Sequence, residues 1–120
     1  MQIETFTSET YRITQAQLNQ FADVTGGHGK IHVDPEYAKT TIFKATIVHG
    51  LFLVAMIEKE LAKRFPSYEQ NGTLEVTFIK PVKANQVFTI SGELDENNDR
   101  LNISLLLENG EAAVIGRAKV

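Results

Sequence analysis

The pattern of hydrophobic and polar positions along the chain changes once, near Asn71. Before that point, apolar residues recur at helical spacing. After it, they alternate with polar ones, as in strands with one buried face. We therefore expect a first part of helices and loops and a second part of strands. The 120 residues suit one domain with its own core, and we expect residues 1–120 to form it.

Two short helices are predicted on either side of a glycine-rich loop. Thr14 begins the sequence T-Q-A-Q, which has the spacing of a capping box, and the helix that follows should end near Thr25. Residues 26–30 read GGHGK, and their three glycines favour backbone freedom over regular structure. An Asp-Pro pair at 34–35 predicts the start of a second helix that runs to about Thr40.

The longest predicted helix opens at His49-Gly50 and continues to about Arg64, and Pro66 ends it. Its first half, LFLVAMI, is apolar all round, which predicts a buried helix. Its second half, EKELAKRF, is amphipathic and should reach the surface. Glu60 and Arg64 are four residues apart and can pair on this helix.

Four antiparallel strands are predicted in the second part of the chain. Turns at 96–99 and 108–111 divide two hairpins, and Asn109-Gly110 fits a type I′ turn. One or two short strands are expected near the N-terminus. The four predicted strands begin at Thr73 and Val87, cover Leu101–Leu107 and follow Gly110. In Leu101–Leu107 the alternate leucines and isoleucine share one face. The short strands are expected near Gln2–Phe6 and Tyr11–Ile13.

A buried helix and a run of antiparallel strands are both satisfied when the sheet curls around the helix. The predicted fold class is therefore α+β, with five or six strands over one central helix. A sheet this small leaves exposed edge strands. We therefore expect a homodimer joined edge to edge, or a higher assembly of such dimers.

Composition excludes several functional classes. The net charge is −3 with no cluster of Lys or Arg, so we expect no nucleic-acid partner. The absence of Cys excludes disulfides, zinc–thiolate sites and a cysteine nucleophile. The longest apolar run, 51–57, is too short for a membrane span, and the first residues lack the features of a signal peptide. We expect a cytoplasmic protein with no membrane contact.

His32 and Gly50 are the first candidates for chemistry. His32 follows the glycine-rich loop, and a histidine held there can act as a general acid or base near neutral pH. The alternative is a structural histidine that hydrogen-bonds the loop. Gly50 opens the long helix, where a free N–H favours negative charge on a substrate oxygen. The alternative is that Gly50 only permits close packing of helix and sheet.

His28 and Glu58 are further candidates. His28 lies four residues before His32, but the glycines between them disfavour a helix and no third ligand is evident, so we expect no metal. Glu58 follows seven apolar residues and could border a buried pocket, or it could be a solvated charge. The loop GGHG matches neither the P-loop nor the dinucleotide fingerprint, so we expect no cofactor.

The segment FADVTGGHGKIHVDPEYAKTTIFKATIVHG, residues 21–50, resembles the signature of the MaoC-like hydratases, the (R)-specific enoyl-CoA hydratases with a hotdog fold. The family signature consists of an aromatic residue, then an aliphatic and a small residue, and then the sequence Gly-Asp-x-Asn-Pro. An aliphatic residue and His follow, and Ala or Ser comes after five further residues. The segments IVHG and VTFIKPV (76–82) also read as in that family. The matching residues are Phe21, Val24, Thr25, Gly26, Ile31, His32 and Ala38.

This chain departs from the family pattern inside the motif. Gly27, Gly29 and Lys30 stand at the family's Asp, Asn and Pro positions. In the family the Asp and His hold and activate water, so the resemblance implies a catalytic role for His32. His28 and Glu58, and less strongly Lys30, are local groups that could replace the Asp.

The resemblance also implies a backbone oxyanion donor at Gly50 and substrate contacts at Gly26, Gly27, Ile31 and His49. The implied substrate is an acyl thioester of CoA or acyl carrier protein. The implied reaction is hydration of 2-enoyl or dehydration of 3-hydroxyacyl thioesters, as in fatty-acid or polyketide metabolism. Alternatives are thioester hydrolysis, isomerisation, or a non-catalytic acyl-binding subunit, because one fold hosts several functions.

Overall fold

The computed structural model describes residues 5–95 and 99–120. The start of the first predicted strand and most of the turn predicted at 96–99 lie outside these ranges. The helices are α1 (Gln15–Thr25), α2 (Lys30–Val33), α3 (Pro35–Ala38), α4 (Gly50–Arg64) and α5 (Tyr68–Asn71). The strands are β1 (Thr5–Thr7), β2 (Tyr11–Arg12), β3 (Thr73–Phe78), β4 (Val87–Asp95), β5 (Arg100–Leu107) and β6 (Ala112–Lys119).

All six strands form one antiparallel sheet in the order β1-β4-β5-β6-β3, and β2 also pairs with β4. β1 and β2 therefore follow one another along the same edge. Ser8 joins them: its N–H donates to the Ile90 carbonyl at 2.7 Å, and its Oγ accepts from the Ile90 N–H at 2.8 Å. β3 forms the opposite edge.

The core lies between the sheet and α4. Leu53, Ile57 and Leu61 recur at spacings of four residues and form the buried stripe of the helix. From β5, the alternating aliphatic residues are all buried, as their spacing predicts: Leu101, Ile103, Leu105 and Leu107. This confirms the α+β class with a sheet around a central helix, which is the hotdog fold.

The apolar first half of α4 predicts a helix that is buried on all sides, and this prediction is wrong. Leu51 is 65% exposed, while Glu60, expected to reach the surface, is 0% exposed. Glu60 is accommodated because it accepts the Tyr11 hydroxyl and pairs with Arg64 Nη2 at 3.1 Å, as the spacing suggested. The Arg64 guanidinium lies 4.4 Å from the ring centre of Phe6. This network fastens the β1–β2 edge to the central helix.

Several local predictions are confirmed or corrected. The capping box at Thr14 is present and α1 ends at Thr25. α3 ends at Ala38, shorter than predicted, and neither α2 nor α5 was predicted because four residues leave too little periodic pattern. The type I′ turn is wrong: Gly110 has φ 89°, but Asn109 is not among the residues with positive φ.

A bulge in β6 shapes the end of β3. Leu105 pairs with Val114 but Leu106 pairs with Ala112, which leaves Ala113 unpaired in the ladder. The Ala113 carbonyl instead accepts the N–H groups of Ile79 and Lys80 at 2.8 and 3.1 Å. The chain after β3 is thereby turned across the start of α4.

Throughout the described residues, every helix is too short or too polar to cross a lipid bilayer.

Candidate active site

A cavity of about 310 Å³ lies where α2, the start of α4 and the end of β3 meet. His32 and Gly50 both line it, so the structure brings together the first two candidates from the sequence. The rest of the wall is mostly apolar. Its other members are Ile47, Val48, Leu53, Phe78, Ile79, Lys80, Pro81 and Val82.

His32 is held from its backbone and its ring. It belongs to α2, which starts directly after the last glycine of the glycine-rich loop. Its Nδ1 lies 2.8 Å from the Ile47 carbonyl, so this nitrogen carries the proton when the ring is neutral. Its own carbonyl accepts Gln15 Nε2 at 2.9 Å. Nε2 of the neutral ring is then an acceptor with no hydrogen-bond partner among the described residues, on a ring that lines the cavity.

Gly50 is the first residue of α4, where the N–H groups have no acceptor within the helix. The helix dipole adds positive potential at the same place, which favours a negatively charged oxygen. The backbone of Gly50 is closely covered: a Cβ added there would lie 3.0 Å from Phe78 Cζ. A larger residue at this position would therefore press against the Phe78 ring.

His49, named in the sequence as a substrate contact, is buried immediately before α4, with 8% of its surface exposed. Its Nε2 lies 2.8 Å from the Gly27 carbonyl. Its ring stacks on His32 with centroids 3.9 Å apart. It also contacts Phe21 at 4.9 Å with the two rings tilted by 52°, and Phe21 stacks on Phe52 at 4.6 Å. Burial lowers the pKa of His49, and the neighbouring His32 and His28 act in the same direction.

The glycine-rich loop supports this histidine pair. Gly26 takes a left-handed conformation with φ 81° and caps α1 by donating to the Ala22 carbonyl. Gly27 leaves room for the His49 ring, since a Cβ there would lie 3.1 Å from His49 Cδ2. Ile31 accepts the Ile47 N–H at 3.0 Å. Gly26, Gly27, Ile31 and His49 thus do not line the cavity but hold the residues that do.

The structure places His28 and Glu58 away from His32. His28 is exposed, and its Nε2 lies 2.9 Å from Asp23 Oδ1. Glu58 is exposed on α4, accepts the Tyr68 hydroxyl at 3.1 Å and borders a separate polar depression. Neither side chain lines the cavity with His32. Lys30 lies over the ring of Tyr37, at 5.8 Å from its centre.

The wall formed by Phe78–Val82 was missed by sequence reasoning. The segment VTFIKPV was noted only as similar to the family, because its contact with Gly50 depends on a helix and a strand far apart in the chain. The stacking of His32 on His49 was missed for the same reason. Within residues 5–95 and 99–120, no three His, Asp or Glu side chains are grouped so that they could hold a metal ion.

Comparison with protein families agrees with this geometry. The family model described as "MaoC like domain" matches residues 3–113. The (R)-specific enoyl-CoA hydratase of Aeromonas caviae is 27% identical over 118 residues, which are 91% of this chain and 86% of the relative. The 3-hydroxyacyl-thioester dehydratase Z of Mycobacterium tuberculosis is 46% identical over 52 residues. That match covers 43% of this chain and only 34% of the mycobacterial protein.

Solved structures show the same architecture. The R-hydratase PhaJ1 of Pseudomonas aeruginosa, in its unliganded form, superposes with a TM-score of 0.76 at 28% identity, covering 98% of this chain and 77% of that one. The (R)-hydratase of A. caviae involved in PHA biosynthesis gives a TM-score of 0.77 at 26% identity, covering 98% of this chain and 91% of that one.

Proposed function

Because the chain belongs to the MaoC-like domain family, we propose that it hydrates 2-enoyl thioesters and dehydrates 3-hydroxyacyl thioesters. The observation that carries this proposal is the shared cavity: His32, whose ring is fixed, and Gly50, the first residue of the long helix, line one mostly apolar space. The apolar wall suits an acyl chain, and the N–H suits the thioester oxygen. The carrier is CoA or acyl carrier protein, and the protein works in fatty-acid or polyketide metabolism in the cytoplasm.

The reaction needs one base and one oxyanion donor. Water attacks C3 of the enoyl thioester while His32 Nε2 accepts a proton from it, and the π electrons move toward the thioester oxygen. The Gly50 N–H stabilises the charge that develops there. The enolate then collapses as His32 returns the proton to C2, so the elements of water are added and the imidazole is restored. Dehydration follows the same steps in reverse.

A second copy of the chain is also part of the proposal. β3 is an edge of the sheet. Large apolar side chains at its end, directly after it and on the neighbouring β6 are half-exposed: Phe78, Ile79 and Ile115 are 52, 53 and 42% exposed. An apolar edge strand favours pairing with another chain. A homodimer joined along β3, or an assembly of such dimers, would cover it. A concentration-independent monomer mass in light scattering would contradict this.

The test is product analysis with crotonyl-CoA and 3-hydroxybutyryl-CoA. Mass spectrometry should find gain and loss of one water, respectively. His32→Ala should lower both rates by about 10²–10⁴, the usual value of a positioned acid–base group. Release of free CoA would favour the alternative of a thioesterase. Binding without turnover would favour a non-catalytic acyl-binding subunit.

Activity unchanged in His32→Ala, with the fold intact by circular dichroism, would rule out this mechanism.

A further inference from the structure

His49 is held by contacts that fix its protonation state. Its Nε2 lies at hydrogen-bonding distance, 2.8 Å, from the Gly27 carbonyl, so Nε2 must carry a proton. Nδ1 is then a bare acceptor in the neutral ring. This atom is buried and has no hydrogen-bond partner among the described residues. A second proton on Nδ1 would create a buried donor with nothing to receive it.

The charges around His49 also favour a neutral ring. His49 is the residue before α4, where the helix dipole presents its positive end. The ionisable side chains that act on it are His32 and His28, which are positive when protonated. The other rings in contact are uncharged, and Asp23 is engaged by His28. Among the residues that the structure describes, no carboxylate therefore compensates a charge on His49. The Gly27 carbonyl favours that charge, but burial opposes it more strongly and lowers the pKa of His49.

The neutral ring lies face to face with His32. Their planes make an angle of 18°, with centroids 3.9 Å apart. Phe21 contacts the His49 ring at a tilt of 52° and stacks on Phe52. We propose that His49 is a positioning residue for His32, acting as a permanently neutral ring that fixes the plane of the His32 imidazole. This inference rests on the proposed function, because the orientation of the His32 ring matters for catalysis only if His32 is the base of that reaction.

The stack suits both states of His32 in the reaction. Together with the bond from His32 Nδ1 to the Ile47 carbonyl, it leaves the His32 ring one orientation. When His32 has taken a proton from water, its charge faces an aromatic ring that carries none. If His49 could itself be protonated, the two charges would repel at this distance. The arrangement also requires Gly27, because a Cβ there would lie 3.2 Å from His49 Nε2.

Nitrogen NMR tests the pair without reference to activity. Long-range ¹H–¹⁵N spectra of the labelled full chain distinguish neutral Nδ1–H, neutral Nε2–H and charged imidazole. Between about pH 5 and 8, where ordinary histidines titrate, His49 should remain in the neutral Nε2–H form. Titration of His49 within this pH range would overturn the proposal, whether or not the protein hydrates enoyl thioesters.

Two variants test the positioning role. His49→Ala should broaden or average the His32 ring signals and lower kcat by about 10², the cost of a misplaced catalytic group, with little change in KM. His49→Phe restores the ring and should recover most of kcat and the His32 signals. The control Tyr68→Phe removes one hydroxyl away from this cavity and should change neither.

The outcomes separate the two proposals. His32 spectra identical in wild type and His49→Ala would overturn the positioning role even if the protein is a hydratase. If the wild type turns over no enoyl thioester, the proposed function fails, and the spectra still decide whether His49 fixes His32. If His49→Ala does not fold, the NMR titration of wild-type His49 and the activity and His32 spectra of His49→Phe test the proposal instead.

Discussion

The ring of Phe78 lies directly against the backbone of Gly50, so closely that a Cβ on Gly50 would approach Phe78 Cζ to 3.0 Å. One residue starts the central helix and the other ends β3. We expect Gly50→Ala to push the ring into the cavity and to lower kcat/KM for crotonyl-CoA by about ten- to a hundredfold, although the N–H itself is retained. Steady-state kinetics measures this directly.

A double-mutant cycle identifies the crowding as the cause. Phe78→Leu shortens the side chain that meets the new methyl group, so the pair Gly50→Ala/Phe78→Leu should be more active than Gly50→Ala alone. If the two losses simply add, the contact is not the reason for the effect.

The buried carboxylate of Glu60 should be a major source of stability. It is 0% exposed and bonded to Tyr11 and Arg64, so Glu60→Gln leaves both partners poorly matched. We expect the free energy of unfolding to fall by about 2–4 kcal/mol in urea titrations. The control Glu69→Gln, at an exposed position on α5, should change it by less than about 1 kcal/mol.

The stabilising effect of Glu60 should depend on pH. Burial alone would raise its pKa, but the hydrogen bonds from Tyr11 and Arg64 outweigh it and hold the pKa of Glu60 below its ordinary 4.5. A lowered pKa in the folded state means that the contribution is fully present above about pH 4.5 and is lost as the pH falls further. The difference between wild type and Glu60→Gln should therefore shrink in acid. An equal difference at pH 3 and pH 7, by the same urea titrations, would contradict the assignment.

The phenols of Tyr11 and Tyr68 should resist ionisation. Burial, with the carboxylates of Glu60 and Glu58, raises the pKa of each to about 12. Since the folded-state pKa is raised from 10.0, the stability that these groups give is present below about pH 10 and is lost as the pH rises toward 12. Phenolate absorbance should show a phase near pH 12 that is smaller in Tyr11→Phe. Its persistence at full amplitude in that variant would exclude Tyr11 as its source.

Sequence patterns predicted the parts of this fold that depend on local chemistry. The capping box at Thr14, the start of α4 at Gly50 and the buried face of β5 all follow from residues within a few positions of each other. His32 and Gly50 were candidates because of their chemistry and their neighbours in the sequence, and both line the cavity. What local pattern did not predict was the pairing of distant segments, such as the carboxylate of Glu60 with the hydroxyl of Tyr11.

Contacts between distant segments also explain why some candidate site residues were misplaced or missed in the sequence analysis. Glu58 was considered because it follows an apolar run, but its direction on the helix depends on how α4 rotates against the sheet. The helix buries Leu53, Ile57 and Leu61, which turns Glu58 outward. His49 was noted only through the family resemblance, since its stacking on His32 depends on the path of the loop between α3 and α4.

The exposed candidates should contribute little to turnover. His28 pairs with Asp23 at the surface, and Glu58 faces Tyr68 beside another depression. Because neither lines the cavity of His32, we expect His28→Ala and Glu58→Gln each to retain hydration of crotonyl-CoA within about threefold, against the losses of 10² or more typical of acid–base groups. A larger loss in either variant would assign it the role of the missing carboxylate.

Restoring a carboxylate at Gly27 should succeed only when His49 is absent. Gly27 has no left-handed φ, so Asp is compatible with its backbone. The obstacle is the His49 ring, 3.1 Å from the new Cβ. In the wild-type background, Gly27→Asp should displace this ring and lower hydration by about tenfold or more, as expected for a misplaced catalytic group. In the background of His49→Ala the ring is gone and only Thr25 Oγ1, at 3.3 Å from the new Cβ, remains close, so the carboxylate can hold water beside His32. We therefore expect the double variant to be more active than His49→Ala alone. Hydration rates of the four proteins measure this coupling. Independent, additive losses would mean that Gly27 and His49 do not compete for one place in the site.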